Sequence, residues 1–129
     1  MPSTCISVRR AWPAAQRAQL IAAVQAALIE GLRIPEQDRC VRLQAFAPED
    51  FAVKPQSGEY FTLVEVDLFP GRSLDAKRRC YQAMVRNLGA LGIPAAEVKV
   101  VLREVPQDNW GIRGGRPASE VDLGFKVEV

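Results

Sequence analysis

Apolar positions along the chain change period in the same order twice. Thr4-x-Ile6-x-Val8 alternates at period two, as a half-buried strand does. Leu20, Ile21, Val24, Ala27 and Leu28 then recur at helical spacing, and Val41, Leu43 and Ala45 return to alternation within a strand expected over about 39–46. The second half repeats the order. Residues 61–68 are β-branched and aromatic, Tyr81, Met84, Val85, Leu88 and Leu91 form a helical stripe over Lys77, Arg78, Arg79 and Arg86, and residues 98–105 make a last strand. Pro13 is placed to open the first helix and Ser73 to cap the second. Pro35 and Pro94 stop them, because the residue before a proline is pushed out of the helical region.

The two halves are copies of one unit. Leu32-x-Ile34-Pro35 followed by Asp38, Val41 and Leu43 recurs as Leu91-x-Ile93-Pro94 followed by Glu97, Val100 and Leu102, an offset of 59 positions that continues through Phe51 and Trp110. A strand–helix–strand unit of this length joins two parallel strands by a right-handed crossover. The expected fold is therefore α/β (α+β): one domain over 1–129, repeat one at about 2–51 and repeat two at about 61–110, making a four-stranded mixed sheet with two helices on one face. The alternation of Leu123, Phe125, Val127 and Val129 adds a C-terminal strand at about 123–129. The uncovered sheet face is expected to be apolar and closed by self-association. Gly111 to Pro117 reads as a plain turn.

Charge narrows the partners. With 17 basic and 15 acidic side chains interspersed and a net charge of +2, nothing marks a nucleic-acid or anionic-membrane surface. No apolar run approaches the ~18 residues of a membrane span. Arg9, Arg10 and Arg17 interrupt the stretch where a signal peptide would be apolar, so a cytoplasmic protein is expected. Cys5, Cys40 and Cys80 are widely spaced with no C-x-x-C, which fits reduced packing thiols rather than a disulfide framework or metal site.

The absence of histidine removes the usual proton carrier near neutrality and rules out Ser-His-Asp and Cys-His constellations. Pro2 fills that gap. Removal of Met1 would leave it with a secondary amine; a generic α-amine titrates at about 7.7–8.0, and burial or nearby positive charge lowers that value.

Pro2 opens the first strand, Ile34-Pro35-Glu36-Gln37-Asp38-Arg39 leads into the second, Phe69-Pro70-Gly71-Arg72-Ser73 leads into the second helix, and Asn109-Trp110-Gly111 precedes the tail. In these features the chain resembles the tautomerase superfamily over nearly its whole length. The placing of Asp38, Arg72 and Trp110 is most similar to the branch that includes malonate semialdehyde decarboxylase. The resemblance implies a tautomerase-like fold, a homotrimer, no cofactor or metal, and Pro2 as catalytic acid or base. It further implies that Arg72 binds a substrate carboxylate, that Asp38 acts on water or orients groups, and that Trp110 walls the pocket. Arg113, near Trp110, is carried as a second carboxylate contact. Bland roles stand beside these: Asp38 as a turn residue, Trp110 as a core aromatic like Phe51, and Arg113 as a solvated loop residue. The branch has two arginines before its second helix, whereas Pro70 stands here where one of them is expected. Keto–enol tautomerisation of small 2-oxo acids or their enols is therefore the expected activity. Decarboxylation or hydration is one alternative, and a non-catalytic ferredoxin-like ligand-binding module is the other.

Overall fold

In the computed structural model, which describes residues 2–129, β1 (Ser3–Val8), α1 (Ala14–Leu32) and β2 (Val41–Ala45) form the first repeat. The second consists of β3 (Thr62–Leu68), α2 (Leu74–Gly89) and β4 (Val98–Glu104). The expected removal of Met1 lies outside the described residues. Within each repeat the strands run parallel, and β1 pairs antiparallel with β3, giving a mixed sheet in the order β2-β1-β3-β4. The expected architecture is thus found.

Local chemistry sets the helix ends. Pro13 is the N-cap of α1, and Ser73 caps α2 by accepting a hydrogen bond from the Ala76 N–H at 3.1 Å. α1 stops before Pro35 is reached, because Arg33 turns left-handed at φ 58° and donates its N–H to Ile29. Both helices cover one sheet face, closing a core around Ile6, Leu28, Val64, Val66, Met84 and Leu88. Gly31 makes their close approach possible. A Cβ there would lie 2.5 Å from Cys80 Cα and 2.7 Å from its backbone nitrogen. No helix among the described residues is long and apolar enough to cross a membrane.

Three expectations need correction. The uncovered sheet face is not apolar: strand register gathers Ser3, Cys5 and Ser7 with Glu65 and Asp67 there. Arg103 binds both carboxylates at 2.7 Å. Alternation sends the Val and Ile positions toward the helices, leaving mostly polar positions to point the other way. Residues 123–129 form no strand in the single chain. The tail instead straps the end of the sheet, with Val127 packed into a cluster with Phe69 and Ala118, while the Ser73 N–H and hydroxyl both donate to the Val129 carbonyl. Finally, the plain turn is a small hairpin, β5 (Gly111–Ile112) against β6 (Arg116–Pro117). Arg113, Gly114 and Gly115, all at positive φ, make its reversal.

Candidate functional site

Parallel strands start at the same end of a sheet, and an antiparallel neighbour ends there. β1 and β2 therefore begin where β3 and β4 finish, which carries all five candidate residues to one pole. Pro2 is buried just ahead of β1. The Thr4 N–H donates to Cys40 at 2.9 Å, and the Ser3 hydroxyl lies 4.0 Å from the Cys40 sulfur, so Pro2 runs beside the segment leading into β2. That segment contains Asp38.

A cavity of about 340 Å³ opens at this pole between the β2 lead-in and the hairpin with its tail. Asp38, Arg39, Arg113, Leu123 and Phe125 line it. Asp38 and Arg113 are thus brought together, whereas Pro2, Arg72 and Trp110 lie outside its wall. Asp38 is half-buried and fixed by its main chain: its N–H donates to Pro35, and its carbonyl accepts from Gln25 Nε2, both at 3.0 Å. Gln25 is only 6 % exposed, so this bond ties the lead-in to α1.

Arg72, 6 % exposed, sits where the end of β3 meets the end of α1. Its Nη1 and Nη2 donate to Phe69 and Leu32 carbonyls at 3.4 Å, both long for this bond type, and its Nε has no hydrogen-bond partner among the described residues. Burial pushes its pKa down; Glu128, Asp38 and Cys80 oppose that shift. It remains a cation, because guanidinium does not deprotonate in proteins.

Trp110 shows its packing role plainly. The indole N–H donates to Val105 at 3.0 Å, and the ring meets Phe69 edge-on with centroids 5.1 Å apart. Arg113, at φ 47°, donates to the Asp122 carbonyl at 2.6 Å and so ties the hairpin to the tail. Two residues were not singled out from sequence. Arg39, which in the sequence is only one residue of the motif leading into β2, lines the cavity. Gln25 carried a signal, being a polar residue set between Val24 and Ala27 on an apolar stripe. No group of three or more His, Cys, Asp or Glu side chains is gathered for a metal among the described residues.

Cys80 packs beneath this pole. Desolvation pushes its thiol from 9.0 up to about 11, against the pull of Arg72. The folded state holds that proton more tightly than the unfolded state, so the contribution to stability is complete below pH 9 and is lost as pH rises toward 11. Melting curves across this interval should therefore fall more steeply for the native chain than for Cys80→Ala. Equal slopes would remove the thiol as the cause.

Residues 38–113 match the family described as tautomerase enzymes. A 2-hydroxymuconate tautomerase of Comamonas testosteroni is 37% identical over 51 residues, spanning 39% of this chain and 81% of that protein. Among solved structures, a malonate semialdehyde decarboxylase superposes with a TM-score of 0.82 at 21% identity, covering 89% of this chain and 93% of the other. A fused 4-OT solved as a symmetric trimer gives 0.78 at 28% identity, covering 90% and 95%.

Proposed function

Because the chain belongs to the tautomerase enzyme family, we propose that it is a keto–enol tautomerase of small 2-oxo acids or their enols, with Pro2 as general acid and base. Loss of Met1 leaves the Pro2 nitrogen as a secondary amine. Burial disfavours its ammonium form, as does a buried cation at the same pole, and the reaction needs this nitrogen neutral near pH 7. The amine takes the enol hydroxyl proton while the double-bond electrons move toward carbon, and the resulting ammonium returns that proton to the carbon. No proton is gained or lost overall.

The observation that carries this reading is Arg72. A buried guanidinium with two long bonds and an unpartnered Nε has donor capacity that its own chain does not use. A substrate carboxylate supplies the missing acceptors through charge-assisted bonds, and the same cation stabilises the developing enolate. Arg39 and Arg113 on the cavity wall extend the positive field and Asp38 orients the substrate's polar groups, while Trp110, outside that wall, packs on Phe69 behind the site. Arg72→Met is expected to lower kcat/KM for 2-oxo acids by about 10²-fold, with little effect on uncharged enols. An unchanged kcat/KM takes Arg72 out of the site.

Assembly as a homotrimer belongs to the same proposal, supported by the trimeric state of the fused 4-OT relative. Sedimentation at assay concentration checks it, and an active monomer counts against it. One observation favours a second reading: Asp38 lines the cavity, where a carboxylate can activate water for hydration or decarboxylation. Release of CO2 from malonate semialdehyde without enol turnover would select that chemistry.

A further inference from the structure

The opposite pole of the sheet carries a second, larger cavity of about 600 Å³ under the loop that follows β2. The internal repeat explains its position. The offset of 59 maps Arg113 onto Lys54, Ile112 onto Val53, Arg39 onto Val98 and Gln37 onto Ala96, and all eight residues line one cavity or the other. The two cavities are one architectural feature built twice, once by each repeat.

Their chemistry has diverged. Where the first cavity has the Asp38 carboxylate in its wall, Glu97 has turned away and accepts the Gly58 N–H at 2.8 Å. Arg39 is replaced by Val98, and the position matching Trp110 holds Phe51, whose ring meets Phe61 edge-on at 5.8 Å. The wall is therefore aromatic and aliphatic, with two cations at its margin. Lys54 and Lys99 are exposed, and neither has an ion-pair partner among the described residues. An apolar slot with a few convergent charges selects an anion with a flat apolar body, and its volume lies within the range of small-molecule sites. The nitrogen at this pole is different too. An offset of 60 places Thr62 opposite Pro2, and its nitrogen is a peptide amide inside the chain, with no basicity.

From this we infer that the cavity bounded by Phe51, Phe61, Val98, Lys54 and Lys99 is a binding site for an aromatic monocarboxylate that holds its ligand without turning it over. The aromatic body packs on Phe51 and Phe61, where edge-to-face contacts add to burial. The carboxylate lies between the two ammonium groups.

Phenylacetate, added to the isotope-labelled full-length chain, tests the assignment by amide chemical shifts. Saturable shifts are expected at Phe51, Lys54, Phe61 and Lys99. The double variant Lys54→Met/Lys99→Met should weaken that saturation by about tenfold or more while leaving any shifts at Arg39 and Arg113 as they were. A chain extended ahead of Pro2 should keep the binding whatever happens to its catalysis, which separates failure of this assignment from failure of the tautomerase reading. Absent or unsaturable shifts, or native affinity in the double variant, would overturn it. So would a cavity whose amides are protected from exchange and unmoved by the probe, the sign that a second copy closes it.

Discussion

Adding one residue ahead of Pro2 converts its ring nitrogen into an amide, and keto–enol conversion is expected to fall by the ~10²–10⁴-fold that positioned acid–base transfer contributes. The chain has no histidine to take over the proton, and burial displaces the Cys80 thiol toward its protonated form. The effect belongs in kcat as well as kcat/KM, because binding groups such as Arg72 are untouched by the extension. Intact mass establishes the terminus, circular dichroism establishes the fold, and steady-state assays read the loss. Undiminished turnover with an amide at that nitrogen would end the case for Pro2.

Gly31→Ala carries the largest expected effect on stability. The new methyl would sit 2.5 Å from both Cys80 Cα and Cβ. These atoms belong to the backbone of α2 and its first side-chain carbon, so no flexible tip can swing aside and the helices themselves must part. Overpacking of this kind costs about 3 kcal/mol, which lowers the melting temperature by about 10 °C for a chain of this size. The adjoining Leu32 carbonyl accepts from Arg72, so a shift of α1 also disturbs the proposed carboxylate site. Gly89→Ala is the control: it meets nothing within 4 Å and sits at the end of α2, where alanine favours helix. Should Gly31→Ala melt with the native protein, the helix contact described here is wrong.

What could be read from the sequence depended on how far apart the determinants lie. Helix stripes, the Ser73 cap and strand alternation are local patterns within a dozen residues; the cap and the four core strands appear where expected, while Leu91 of the second stripe falls beyond the end of α2. The repeat made topology legible as well, since one unit found twice fixes the crossovers and leaves little freedom in strand order. The polarity of the open face was misjudged although Ser3, Cys5, Ser7, Glu65 and Asp67 were in view; its ion cluster needs Arg103, which register brings beside Asp67 from 36 residues away. The tail shows the opposite failure. Its alternation is real, yet Leu123, Phe125 and Val127 use it to pack across an end of the sheet rather than along an edge. At the site, sequence pointed to Arg72 but not to its poorly satisfied donors, because Leu32 and Phe69 carbonyls meet it only in three dimensions.

The Arg103 cluster constrains how copies of the chain can meet. A neighbour laid flat on that face would strip water from one guanidinium and two carboxylates at once, and such groups resist dehydration unless every lone pair and proton finds a match. A seam built there must stay hydrated around Arg103, so its strength should respond to ionic strength more than an oily interface of the same area would.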